Sequence, residues 1–425
     1  MKHFLFFFLL CTLYPVQIFA QGETAVPFLL ITSSPEGNGM GGIAASILSA
    51  NPTASIANPG QIGYGSLQNY FSANFYTPKV DWLPGFHFGD LWYNVHAVNY
   101  GINFNKIAPS SVPISIGFGY SKIFISLGNF IVTGPDSPEP IDTFYAFEQS
   151  EQYTMGVGFD YFIKGGIGLT QKNILSSLGG WISGDSAVQS EGRQTAIDIG
   201  GIVQVPLAEL FISQEEKETK KLLPTLNMTI GAVRSNIGGK ISYIDQAQAD
   251  PLPHLATLGA SWEIGVTMLH NSVRKNILSF TLSRQAEDIL VRRYQDEYEI
   301  YRMKYQTGFG DIQPYNNLIA GKYGGGIYLR KGWQINIADA VFLRGGSVNA
   351  RGLRYNTTGF GFSLQRIFQF LSPALSSTPA ESSSYDFFTQ HFDVQYNYAS
   401  YEASDRYDFS PIAGTLFQSV NFIIK

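Results

Sequence analysis

Apolar residues in this chain recur at every second position, with small or polar residues between them. In Ile114 to Tyr120 the apolar set is Ile114, Ile116, Phe118 and Tyr120, separated by Ser115, Gly117 and Gly119. Tyr153, Met155, Val157, Phe159 and Tyr161 alternate in the same way with Thr154, Gly156, Gly158 and Asp160. Leu258, Ala260, Trp262 and Ile264 stand opposite Gly259, Ser261, Glu263 and Gly265, and the pattern returns in 278–283, 360–365 and 392–398. A period of two belongs to strands, whereas a helix repeats every 3.6 residues. The pattern predicts about 14 strands, near 69–76, 97–104, 114–128, 152–161, 163–170, 195–205, 226–234, 256–266, 277–283, 322–337, 341–348, 357–364, 391–398 and 416–424. Leu416 to Ile424 suits a closing strand, although terminal Lys425 stands where barrel assembly signals usually end in an aromatic residue.

Composition decides what such strands build. Charged residues make up 14% of the 425-residue chain, against roughly 25% in an average soluble protein. Gly (44), Tyr (24) and Phe (32) are abundant, so much of the surface is not made for water. After residue 20 there is no run of about 20 apolar residues, which a membrane helix requires. A membrane protein without such helices must be a closed barrel, because only closure satisfies every backbone group in lipid. A soluble β-sandwich would also alternate, but its outer faces would carry charge, and here the intervening residues are mostly Gly, Ser, Asn and Thr. The expected fold is all-β: a transmembrane antiparallel β-barrel with an N-terminal plug segment in the lumen. An even strand number brings both barrel ends to the periplasmic side. Connections 77–96, 129–151, 171–194, 235–255 and 284–321 then fall outside the cell, while 206–225 and 365–390 are long for periplasmic turns. Either those two are real elements or the strand count is off.

The first residues have the form of an export signal: Lys2 and His3, then apolar Phe4 to Leu13, and Ala20 as a cleavage point. Residues 1–20 are therefore expected to direct the protein to the outer membrane of a Gram-negative cell, with 21–66 as a plug or hatch and 67–425 as the barrel. The only cysteine, Cys11, lies in the signal, which removes disulfides, thiol catalysis and cysteine–metal sites from the mature chain. A net charge of −5 argues against a nucleic-acid partner. In 22–66 a short apolar run, Ala25 to Ile31, precedes a glycine cluster and a second apolar run, Ile43 to Leu48, with helical spacing. Gly37, Gly39 and Gly42 fit G-x-G-x-x-G, but no acidic residue occurs between Glu36 and Asp81 to hold a ribose. Tight turns account for these glycines better than a nucleotide does.

The stretch Ala25-Val26-Pro27-Phe28-Leu29-Leu30-Ile31, then Gly39-Met40-Gly41-Gly42, then Asn58-Pro59, resembles the N-terminal signature of the PorV/PorQ family of outer-membrane barrels. A second block, Lys240-Ile241-Ser242-Tyr243 with Asp250-Pro251-Leu252-Pro253, resembles a loop and strand entry of the same family. The resemblance implies a 14-stranded barrel, related in fold to the FadL fatty-acid transporters, with its N-terminal residues as a hatch. It implies a place in the type IX secretion system, with secretion-machine subunits and exported proteins bearing a C-terminal sorting domain as partners. The FadL relationship implies a second activity, passage of small hydrophobic molecules.

Enzyme chemistry is not expected. The six histidines lack H-E-x-x-H spacing, and no phosphate loop or G-x-S-x-G elbow occurs. No cofactor and no metal is expected, and the only partner that composition itself requires is membrane lipid. Asp136, Glu139 and Asp142 share a proline-rich loop that solvent explains, and Gln214 to Lys221 reads as a solvated turn. In 284–304, arginines alternate with tyrosines, which favours recognition. Arg292, Arg293, Tyr294, Tyr298 and Tyr301 are therefore candidates for docking a partner, the alternative being an ordered cap whose tyrosines pack on one another.

Overall fold

The computed structural model describes residues 24–425 except 88, 108–112, 134–138, 184–185, 245–248, 271–272, 296–300, 323, 325, 351–352, 376–389 and 404–409. The export-signal expectation for 1–20, together with Asp136 and Tyr298, lies outside the described residues.

Fourteen antiparallel strands form the wall: β1 (Phe71–Tyr76), β2 (Trp92–Asn103), β3 (Ile114–Thr133), β4 (Pro140–Asp160), β5 (Lys164–Ser183), β6 (Ser186–Pro206) and β7 (Leu222–Gly238), then β8 (Leu255–His270), β9 (Val273–Ile289), β10 (Tyr328–Ile337), β11 (Val341–Ala350), β12 (Leu353–Ser363), β13 (Phe392–Ala403) and β14 (Leu416–Ile424). Each pairs with its sequence neighbours. β1 closes the ring, pairing Phe71 with Ile424 of β14 and with Tyr100 of β2. No strand edge is left open, as lipid requires. Every predicted segment overlaps one of these strands.

Several strands run further than the pattern predicts. The connections expected at 129–151 and 171–194 are corrected: β3 to β6 carry 20 or 21 residues each and form tall hairpins. About 10 residues cross a bilayer as a tilted strand, so these hairpins stand well clear of it. Bulges at Ser126/Gly128 and Ser177/Gly179 break the alternation where the ladder continues, which hid the strands from a period-two reading.

The alternation has the expected polarity. Phe118 (47% exposed), Met155 (53%), Ile167 (64%) and Ile264 (60%) face outward, while Ser115, Ser150, Gln152 and Thr170 between such positions are buried inward. An apolar outer belt and a polar interior are the inverse of a soluble protein and the signature of a membrane barrel. No described helix is long and apolar enough to cross a membrane, which leaves the crossing to strands.

The end of the barrel that carries Lys425, here the near end, has the tight turns 161–163 and 338–340. Its two long connections are real elements. In 207–221, Ser213 caps the helix α4 (Gln214–Thr219) in a reciprocal box with Glu216, and Arg274 donates to the carbonyls of Lys217 and Lys220. After β12 comes α5 (Leu364–Leu375), whose first N–H groups meet Ser363 and Asp393. The far end carries 77–91, 239–254 and 290–327.

Residues 24–69 pack against the inward faces of strands all round the ring. They include α1 (Pro35–Gly39), α2 (Ala54–Ala57) and α3 (Gly60–Gln68). The helix expected over Ile43 to Leu48 is absent, and the reason is local. Ala44 and Ala45 donate their N–H groups to Gln285 Oε1, and the Ala45 carbonyl accepts from Asn58. Barrel and side-chain partners have replaced the intrahelical bonds.

Candidate functional site: the seam between the N-terminal segment and the wall

The lumen has three levels. In the middle, many inward positions of the wall are glycines, and the backbone of the N-terminal segment lies directly on them. A Cβ at Gly332 would strike Met40, at Gly346 Gly41, at Gly359 Gly39, at Gly231 Ala45, at Gly168 Pro59 and at Gly158 Gly63. Much of the chain's glycine is thus spent on close approach of backbone to backbone.

The residues singled out by the N-terminal resemblance sit on this seam, on two sides of the ring. Gly39, Met40, Gly41 and Gly42 lie against β10 to β12. Thr357 Oγ1 donates to the Gly39 carbonyl (3.1 Å) and accepts from Gly41 N–H (2.8 Å). Gly41 and Gly42 hold φ of 77° and 79°, a left-handed turn open to glycine. Arg330 enters it, donating to the Gly41 carbonyl (3.1 Å) while its Nε meets Glu287 at 2.8 Å. Across the ring, Asn58 Nδ2 donates to the Gly201 carbonyl (3.0 Å), its Oδ1 accepts Gly60 N–H (3.0 Å), and Pro59 rests on Gly168 and Gly200. Asn58 thereby takes up the first N–H of α3 and ties that end of the helix to β6 at once.

Sequence reasoning passed over the charged members. Lys172 and Asp198 form an inward ion pair at 2.7 Å, both side chains almost fully buried, and both also bond Asn236. Glu287, Arg330 and Arg344 are likewise inward. Lys172 pairs across the ladder with Gln152 and Ala196, Arg330 with Gln285 and Val348, and Arg344 with Gln334 and Gly359, all uncharged; a charge in an inward slot was the readable signal.

Toward the near end a cavity of about 380 Å³ separates segment and wall. It is polar, lined among others by Glu36, Tyr64, Glu263, Arg344, Asp393 and Lys425. Toward the far end the lumen is apolar and filled. Val26 and Phe28 join Tyr76, Tyr93, Val95, Ile125, Tyr355, Tyr401 and Phe417 in one buried cluster.

The second resemblance block forms a cover over that cluster. Asp250–Pro251 pairs with Lys240–Ile241, the Pro251 carbonyl accepts Ala25 N–H (3.0 Å), and Leu252 is fully buried. The Pro253 carbonyl accepts from Asn236 Nδ2 (3.0 Å), and the Tyr243 hydroxyl bonds Ser176 (3.0 Å). His254 stacks on Tyr305, ring centroids 3.7 Å apart, and burial holds its pKa below the ordinary histidine value, with Arg234 adding to the effect.

The docking candidates divide. Arg292 is engaged within its own loop, bonding Asp288 (2.7 Å) and Asp311 (3.1 Å). Tyr294 is 45% exposed, and Arg293 is exposed beside it. Tyr301 pairs with Gln295 in the hairpin Val291–Gln295/Tyr301–Tyr305.

The sequence matches no protein-family model and no curated protein. Among solved structures the chain is similar to a Pseudomonas aeruginosa FadL homologue, at 11% identity and a TM-score of 0.34, covering 93% of this chain and 97% of that one. It is similar to a mutant of TodX, described as a monoaromatic hydrocarbon channel, at 9% identity and 0.39, covering 92% and 97%. It is also similar to CdiB from Acinetobacter baumannii, at 10% and 0.30, covering 84% and 60%. The barrel itself is defined by its own strand pairing.

Proposed function

We propose that this chain is a non-enzymatic outer-membrane barrel, closed by residues 21–66 as a plug, that binds exported proteins at its far end in the manner of PorV/PorQ members of a type IX secretion system. The observation that carries this reading is the occupied lumen. The middle level is backbone against glycine, and the far level is a filled apolar cluster. What such a barrel offers a partner is surface: the tall hairpins β3 to β6 and the loops 239–254 and 290–327. The near end, with its tight turns and Lys425, then faces the periplasm.

The test is recovery of bound material from the detergent-extracted protein in its native membrane, analysed for proteins and for lipids. Secretion-machine subunits or exported proteins sharing a C-terminal domain are expected. Their absence together with a stoichiometric fatty acid or other hydrophobe would overturn the reading in favour of a FadL-like channel.

One observation favours that second reading. The far lumen around Phe28 is lined by Tyr76, Tyr93, Tyr355, Tyr401 and Phe417, a chamber that a small hydrophobe would fill if the apolar run Ala25 to Ile31 withdrew. Deleting 24–31 would then speed uptake of a hydrophobic dye into vesicles holding the protein.

A further inference from the structure

The loop 290–327 does not simply stand above the barrel. Ile312, Leu318 and Ile327 pack on Ala256, Ala260, Ala286 and Leu329, which occupy outward positions of β8, β9 and β10. The loop therefore folds down over the outside of the wall. Where it stops, a cleft of about 510 Å³ opens on the lipid-facing side, beneath Leu318 and Ile319.

The cleft has a charged row above an apolar one. Arg284 and Lys331 are paired neighbours across β9 and β10. One outward row toward the near end, Leu282 pairs with Trp262 on one side and Trp333 on the other. Below these lie Ile264, Phe280 and Ile335, then Val266, Leu278 and Ile337, all outward and apolar. Trp333 lies flat on the wall because β11 presents Gly345 there, where a Cβ would come within 2.7 Å of the indole. The Arg284 guanidinium is held by the carbonyls of Leu318 and Ile319. Neither Arg284 nor Lys331 has a carboxylate partner among the described residues. Glu402, which shares their outward row, stands three strands from Lys331 and is bonded to Thr358.

Two cations without counter-ions, one row above two tryptophans and an apolar wall, match the order of a bilayer leaflet: headgroup, interface, chains. We propose that this cleft is a binding site for one anionic, phosphate-bearing lipid of the leaflet at the far end. Its phosphate lies between Arg284 and Lys331, and an acyl chain runs down over Trp262, Leu282 and Trp333. Charge selects the occupant, since an apolar cleft alone would accept any chain. The inference requires only that the barrel stand in a bilayer, and it is independent of the secretion role.

The test uses the full chain purified in a neutral detergent and native mass spectrometry against phosphatidylglycerol or phosphatidylcholine of identical chains. Wild type is expected to retain one phosphatidylglycerol in preference to phosphatidylcholine. A single surface cation contributes about fivefold in affinity, so Lys331→Gln is expected to lose about that factor and Lys331→Arg to keep it. Lys331 makes no hydrogen bond with its side chain among the described residues, so the variant leaves the fold alone. Equal retention of the two lipids, or an unchanged Lys331→Gln, overturns the proposal. Displacement of the lipid by inorganic phosphate at low millimolar concentration overturns it too, because it would mean an anion site without a chain. Failure of the purified protein to enter bilayers would instead refute the membrane reading, a separate outcome.

Discussion

The glycine seam makes a quantitative demand on one methyl group. In Gly231→Ala the new Cβ would overlap the carbonyl oxygen of Ala45 and come within 2.5 Å of its carbon and 3.1 Å of Ser46 Cα. All three are backbone-side atoms of the segment, so no side chain can swing away. Over-packing of this kind costs about 1–3 kcal/mol. Moving the segment off β7 also stretches the bonds from Asn58 Nδ2 to the Ala45 carbonyl (2.9 Å) and from Ala45 N–H to Gln285 (3.0 Å), each with a net contribution of about 0.5–1.5 kcal/mol. A total near 3 kcal/mol raises the unseated population by roughly a hundredfold, at 1.4 kcal/mol per factor of ten.

The chain supplies its own reporter background. Cys11 is the only cysteine, so with Cys11→Ser a Ser46→Cys variant carries one thiol at a position that is 0% exposed. Maleimide labelling of that thiol in folded barrel should be slow, and Gly231→Ala should speed it by roughly the same hundredfold. Gly201→Ala is the control: beside seam-facing Gly200, its Cβ would point to the outer face next to Ile167 and meet nothing nearer than 3.5 Å. Equal labelling rates in Gly231→Ala and its parent, with the barrel still folded by heat-modifiable migration, would refute close packing at the seam.

Other parts of the structure make independent demands. Asp198→Asn leaves the Lys172 ammonium buried without its partner at 2.7 Å, a loss of about 3–5 kcal/mol, and should lower the urea midpoint of unfolding; an unchanged midpoint would mean water reaches the pair. Asp288 is 1% exposed and receives both Arg292 and the Asp311 N–H, so Asp288→Ala should open the loop to trypsin at Arg292 or Arg293 within minutes, while resistance equal to wild type would count against this clamp. His254, stacked on Tyr305, has its pKa lowered by burial. The unfolded cover then binds a proton first, so the contribution of His254 is full above about pH 6.5 and is lost as pH falls below it. The protection factors of amides in 239–254, that is the intrinsic exchange rate at each pH divided by the observed rate, should fall between pH 7.5 and 5, and His254→Phe should remove that dependence.

The barrel was legible because its rule is local. Whether Met155 or Thr154 faces lipid depends only on parity, and parity survives in any window of a few residues. Strand length was less legible. Beyond the bilayer, in the upper parts of β3 to β6, both faces are mixed and bulges at Gly128 and Gly179 shift the register. The fold of the N-terminal segment was the least legible part. Ile43 to Leu48 has helical spacing, but Gln285 and Asn58 supply its backbone partners, and neither can be assigned to it from the sequence.

The candidate site was half visible for a related reason. Gly39 to Gly42 and Asn58-Pro59 stand out as local motifs. Their counterparts, Gly168, Gly332, Gly346 and Gly359, are single residues in four different strands that only closure of the ring brings opposite the segment. An inward glycine looks, in one strand, like any small residue of a polar lumen. The same limit applies to Arg292. A run of Arg and Tyr has the composition of a recognition surface, yet the nearest carboxylate, Asp288, lies four residues earlier on the last turn of the ladder and claims the guanidinium for the loop itself. Composition can nominate a surface cation, but its freedom to meet a partner depends on what the fold has already given it. By that measure Lys331, which no motif marked, is freer than Arg292, which one did.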